Sequence, residues 1–406
     1  MTNHFAALAA NPLFTDPALD DDKVRAAVPR LLTDCQNAGV SDLHLSAQAR
    51  PFVRRHGQIH YLCERPLPAE IAEAANLALL DEQQFEALQK TSELELALSF
   101  GQRERFRACI SIHKWGVAGS YRIVPPHPRA IEALGYPDLA VLRRLLSFHN
   151  GLILVTGPVN SGKTATLAAL VDEVNRTRND HIITVEDPIE YVVTSDRCNV
   201  TQRQVGDHTK TFATALRAAL RQDPDVIAIG ELRDLETINI AITAAETGHL
   251  VLGTMHTADA ASTLSRLLDV FPASQQAQIR AMVSESLRGI LCQRLLPAAD
   301  GGCALATEIL VGNLAVANLI REHKLQNLGS VMETGTRDGM LSMDSSVLAL
   351  LRAGRISQEV ALANIGNRAL RALLENTADA DADQPEPADE QPAGAGGSPR
   401  KRFGLF

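Results

Sequence analysis

The sequence predicts an α/β protein, with an N-terminal α+β domain, a parallel-sheet domain behind it and a disordered tail. Three observations carry that expectation. Short apolar runs at 152–156, 181–185, 225–229 and 249–253 alternate with helical stretches, the rhythm of a parallel sheet covered on both faces. Before residue 125, strand-like alternation is mixed with helix-like spacing. Towards the end, acidic residues and prolines replace apolar ones, followed by Gly394–Gly397 and Arg400-Lys401-Arg402-Phe403. Such a segment cannot bury enough apolar surface to offset the entropy of ordering it.

In the N-terminal part, residues 42–45 and 53–62 alternate as strands, with His56-Gly57 as the hairpin turn. Residues 69–90, rich in Ala, Leu, Glu and Gln, read as helix, and 105–110 and 120–124 as two further strands. Pro125-Pro126-His127-Pro128 breaks regular structure. Residues 273–375 carry mainly helical patterns. The expected division is 1–125 for the N-terminal domain, 126–150 for a linker, 151–375 for the parallel-sheet domain with C-terminal helices, and 376–406 for the tail.

Composition excludes several classes. The 406 residues hold 39 Lys and Arg against 48 Asp and Glu, a net charge of −9, with 11 Phe, 4 Tyr and 1 Trp. Neither a basic field nor an aromatic platform for nucleic acid is present, so no nucleic-acid partner is expected. No apolar run approaches the ~18 residues of a membrane span. The N-terminus lacks the basic start and apolar stretch of a signal peptide. The six cysteines include no CxxC. They read as reduced thiols of a cytoplasmic protein without a closed zinc site.

The sharpest motif is Gly157-Pro158-Val159-Asn160-Ser161-Gly162-Lys163-Thr164, which follows an apolar strand and opens a helix. That is the context of a phosphate-binding loop. Its turn aims backbone N–H groups and the positive helix end at phosphate. Lys163 would neutralise the β- and γ-phosphates of ATP, and Thr164 would hold Mg²⁺ through its hydroxyl. Other strands of the same domain run into polar ends: Glu186-Asp187-Pro188-Ile189-Glu190, Gly230-Glu231-Leu232-Arg233-Asp234 and Thr254-Met255-His256. Ligands bind off such ends in a doubly wound sheet. Glu231, delivered by an apolar strand, is the expected base for an attacking water. Taken singly, Glu186 and Asp187 are also what a helix cap or a proline-associated turn requires. Likewise His249 and His256 are also ordinary structural histidines.

These motifs resemble those of the secretion ATPases, the hexameric motors of type IV pili, type II secretion and some type IV secretion. The loop at 157–164, TVEDPIEY (184–191), QDPDVIAIGELRD (222–234) and AAETGHLVLGTMHT (244–257) match the family's Walker A, Asp-box, Walker B and His-box. Val40-Ser41-Asp42-Leu43-His44-Leu45 matches its N-terminal domain. The resemblance implies a PAS-like N-terminal domain, a RecA-like ATPase domain and a homohexamer. It also implies that Glu186 orders the metal's water shell and that His256 senses the γ-phosphate. Arg107 and Arg122 match the family's two N-terminal arginines, which would close over ATP, here expected across a subunit boundary.

The short N-terminal region and the missing four-cysteine zinc insert are similar to the pilus retraction subgroup. The resemblance therefore implies pilus disassembly and twitching motility. Its implied partners are an inner-membrane platform protein and a paralogous retraction ATPase. The rival readings are an assembly or type II secretion motor, an accessory ring partner of another retraction motor, and a DNA-translocating ring. Three positions depart from the family pattern. Asn160 replaces a glycine, in a loop that a left-handed asparagine should preserve. Trp115 replaces a basic residue, and Ala317 replaces the first arginine of the C-terminal pattern AVANLIRE (315–322). The last is expected to leave hydrolysis intact and to weaken its coupling to work.

Overall fold

The computed structural model describes residues 5–16, 19–55, 58–100, 104–124 and 127–382. Its first sheet has six antiparallel strands: β1 (Asp42–Ser46), β2 (Phe52–Arg55), β3 (Gln58–Tyr61), β4 (Glu93–Phe100), β5 (Glu104–His113) and β6 (Gly116–Val124). They lie in the order β3-β2-β1-β6-β5-β4. Alternation does the work in β1, where Leu43 and Leu45 point into the core while Asp42, His44 and Ser46 face the other way. The helix Asp21–Asn37, capped by Asp20 on the Lys23 N–H at 2.9 Å, covers the inner face with Val24, Val28, Leu31 and Leu32. That helix carries Pro29 in its interior, and the sequence reading did not single it out.

The stretch expected as helix over 69–90 is two helices, Ala69–Leu77 and Glu82–Thr91. The break has a local cause. The side chain of Asp81 accepts from the Gln84 N–H at 2.8 Å and that of Gln84 accepts from the Asp81 N–H at 3.1 Å, so a capping box starts a new helix there.

The second sheet has seven strands: β7 (Gly151–Thr156), β8 (His181–Glu186), β9 (Asn199–Gln204), β10 (Val226–Ile229), β11 (Leu250–Met255), β12 (Leu287–Pro297) and β13 (Cys303–Val311). Their order is β13-β12-β7-β11-β10-β8-β9. All neighbours are parallel except the β12–β13 hairpin. Strands β7, β10 and β11 are buried along their whole length, as helices on both faces require. Residues 273–375 are mainly helical as expected, but the β12–β13 hairpin within them was not anticipated. β12 is sandwiched between β7 and β13 and is buried over most of its length, without the alternation that marks a half-buried strand.

The expected linker, 126–150, holds a 3₁₀ turn, Ile131–Ala133, and the helix Leu139–Leu146. Val141, Leu142, Leu145 and Leu146 of that helix join the core of the second sheet. The last helix, Arg368–Ala382, runs into the stretch expected as tail. Residues 383–406, like the His56-Gly57 turn and Pro125-Pro126, lie outside the described residues. Among the described residues no helix is long and apolar enough to cross a membrane.

Candidate active site

Parallel register carries the sequence motifs to one rim. Thr156 aligns with Met255, and Ile229 aligns with both Gly253 and Val185. The residues that follow β7, β8, β10 and β11 therefore emerge side by side. They face the outer surface of the first sheet across a cleft of about 800 Å³. Lys163, Thr164, Glu186, Glu231 and His256 line one wall, and Asp42, Arg54, Arg107 and Arg122 the other.

The loop between β7 and the helix Lys163–Thr177 turns through three left-handed residues, Gly157 (φ 150°), Asn160 (φ 64°) and Gly162 (φ 87°). A Cβ on Gly157 would lie 2.3 Å from the carbonyl oxygen of Gln293, so only glycine fits there. Asn160 takes the conformation its short amide side chain tolerates. Ser161 is buried, and its hydroxyl has no hydrogen-bond partner. A glycine-lined cradle at a helix N-terminus, with a lysine at its mouth, fits the phosphates of a nucleotide.

Lys163 Nζ donates to the carbonyl oxygens of Gly157 at 3.0 Å and Pro158 at 2.9 Å, and to His256 Nδ1 at 3.2 Å. An Nδ1 that accepts leaves the ring proton on Nε2, which lies 3.1 Å from Glu231 Oε1. Arg233 holds the second Glu231 oxygen at 2.6 Å. Burial pushes the Glu231 carboxyl up, but Arg233 and His256 outweigh it and leave it below the usual carboxylate range. Burial lowers Lys163 against the opposing pull of Glu231.

Glu186, at the end of β8, is set differently. Burial raises its carboxyl above the usual range, although Thr184 Oγ1 at 2.6 Å and Gln202 Nε2 at 3.0 Å both donate to Oε1. Glu190 is likewise raised by burial, opposed by Arg107 and Arg122. Those arginines stand on adjacent strands in direct register. Arg107 is held by Glu95 at 3.0 Å and Arg122 by Asp42 at 3.1 Å. Both enter the cleft that the phosphate loop of the same chain lines. Within this chain the first sheet lies over the rim of the second, so both arginines share a cleft with their own phosphate loop.

Other residues of the motifs serve the fold. Asp234 and Asp259 are helix N-caps, accepting from the N–H groups of Thr237 at 2.9 Å and Ser262 at 2.7 Å. His249 precedes β11 at the opposite end of the sheet, with Nδ1 3.0 Å from the carbonyl oxygen of Ala244. Four residues near the site were not assigned from sequence: Arg54, Arg233, Gln293 and Tyr136. Arg54 was legible as a partner of Asp42 once strand register was known. Arg233 lay inside a motif, two residues beyond the carboxylate it binds. Gln293 and Tyr136 had no signal, since both lie in segments read as helix or linker. Among the described residues, no group of three or more His, Cys, Asp or Glu is placed to hold a metal.

The chain resembles known proteins along most of its length. The family model described as type II/IV secretion system protein matches residues 18–347. The type IV pilus retraction ATPase PilT of Pseudomonas aeruginosa is 41% identical over 332 residues, covering 82% of this chain and 96% of that protein. PilU, the type IV pilus ATPase of the same organism, is 34% identical over 356 residues, covering 87% and 93%. A crystal structure of the pilus retraction motor PilT with bound ADP superposes with a TM-score of 0.77 at 41% identity. It covers 84% of this chain and 98% of that one.

Proposed function

Because the chain belongs to the type II/IV secretion system protein family, we propose that it is a ring-forming ATPase that powers type IV pilus retraction. The observation that carries the reading is the contact chain Lys163–His256–Glu231, which joins three separate motifs in the cleft that Arg107 and Arg122 also enter. Lys163 and the loop 157–164 bind the phosphates. Glu231 orients the attacking water, His256 registers the γ-phosphate through Lys163, and the arginines draw the first sheet onto the nucleotide. Thr164, with Glu186 ordering the surrounding water, would hold Mg²⁺, because hydroxyl and carboxylate oxygens suit a hard cation. That ion would offset the charge on the phosphates. Movement between the two sheets is then the output.

The working assembly is a homohexamer in the cytoplasm, docked on an inner-membrane platform protein of the pilus and assisted by a paralogous retraction ATPase. In a strain lacking the gene, surface pili should persist and twitching should be lost. Bald cells would make this an assembly motor instead. A second reading exchanges the carboxylates. Glu231 is already engaged by Arg233 and His256, whereas burial gives Glu186 the higher proton affinity a base needs. Comparing the two glutamine variants separates these readings.

A further inference from the structure

Two residues outside every recognised motif meet beneath the phosphate loop. Gln293 of β12 is 1% exposed. Its Nε2 donates to the carbonyl oxygen of Ser161 at 2.5 Å, and its Oε1 accepts from the Tyr136 hydroxyl at 3.1 Å. Its main-chain oxygen closes off the Cβ position of Gly157, and its Nε2 lies 3.2 Å from that of Gly162. Gln293 thus touches both ends of the loop. Tyr136 is 6% exposed and lies in the segment that joins the two sheets. Its hydroxyl also faces Thr166, in the first turn of the helix that the loop opens, and Thr307 of β13.

We infer that Gln293 is a positioning residue for the phosphate loop and that Tyr136, acting through it, ties nucleotide affinity to the segment joining the two sheets. The reasoning is one of hydrogen-bond capacity. The Ser161 carbonyl can only accept, so the amide must present its nitrogen to the loop and its oxygen away from it. That oxygen is buried, and without a donor it would carry the cost of an unpaired acceptor. The Tyr136 hydroxyl supplies the donor. A shift of the joining segment that withdraws the hydroxyl would leave the amide free to turn. The loop would then lose the bond that holds Ser161 between Asn160 and Gly162.

This inference rests on the proposed nucleotide site, so the test includes a control for that site. Full-length protein is titrated with a fluorescent ADP analogue, and thermal unfolding is followed without nucleotide. The variants are Tyr136→Phe, Gln293→Met, their double, and Lys163→Ala. Tyr136→Phe removes one oxygen and keeps the ring, and it should weaken ADP binding about three- to ten-fold. Gln293→Met should weaken it at least as much, and the double should bind no worse than Gln293→Met alone. Wild-type affinity in folded Tyr136→Phe would overturn the inference. So would a double variant whose loss is the product of the two single losses, or variants that lower the melting temperature with affinity unchanged. A wild-type protein that binds no ADP, like Lys163→Ala, would instead refute the nucleotide site itself.

Discussion

His256 Nε2 lies 3.1 Å from Glu231 Oε1, on the same ring whose Nδ1 accepts from Lys163. One imidazole therefore links the residue that would bind phosphate to the carboxylate that would direct water. A nucleotide that draws Lys163 away from His256 would leave Nδ1 without its donor, on the same ring that bonds Glu231.

The two ends of that chain should fail differently. Lys163→Ala should abolish nucleotide binding, since the cleft loses the cation at the mouth of its cradle. Glu231→Gln should bind ATP and turn over about 10²–10⁴-fold more slowly. ATP titration and steady-state hydrolysis check both. Near-normal turnover in Glu231→Gln with loss in Glu186→Gln would move the base to Glu186.

Glu186 should also leave a signature in stability against pH. Its carboxyl is raised in the folded protein, so the folded state holds a proton that the unfolded state has released. Stability is therefore lost as pH rises from the ordinary carboxylate pKa through the raised folded value. Glu186→Gln cannot ionise and should melt higher than the parent at neutral pH. The gap should close below about pH 4, where both states are protonated. A gap that is constant with pH would argue against a raised carboxyl.

Arg107 and Arg122 should act on nucleotide held by their own chain, because both line the cleft that holds its own phosphate loop. Each alanine variant should fold and lose turnover, by about 10³-fold if the guanidinium acts as a finger. Rings mixed from Arg107→Ala and Lys163→Ala subunits should then stay inactive, since every site lacks one group. Recovered hydrolysis in mixed rings would show that the arginines cross a subunit boundary.

Ala317 offers a test of coupling rather than chemistry. It lies on the helix Leu314–Arg321, where Arg321 bonds Ser284 at 3.3 Å on the neighbouring helix Ala273–Ser286. A guanidinium at 317 would add a second multi-donor anchor on this helix. Ala317→Arg should raise retraction force in cells while ATP turnover changes less than two-fold. A change in turnover as large as the change in force would place this position in the catalytic cycle.

The phosphate loop, the four strands that carry motifs and the acidic and histidine residues beyond them were legible in the sequence. Each is a local pattern: an apolar run of strand length, a glycine-rich turn, a carboxylate at a strand end. The β12–β13 hairpin was not legible, because a strand buried on both faces loses its alternation and resembles a buried helix. With the hairpin went Gln293, whose role depends on β12 lying beside β7. Tyr136 was hidden for the same reason, since its hydroxyl gains meaning only from a partner 157 positions away. The sequence by itself determined which residues could meet a phosphate. The tertiary structure decided what surrounds them: that His256 joins Lys163 to Glu231, and that Arg107 and Arg122 face the loop of their own chain. Those contacts are set by the order of strands and the packing of one sheet over another, which no local pattern encodes.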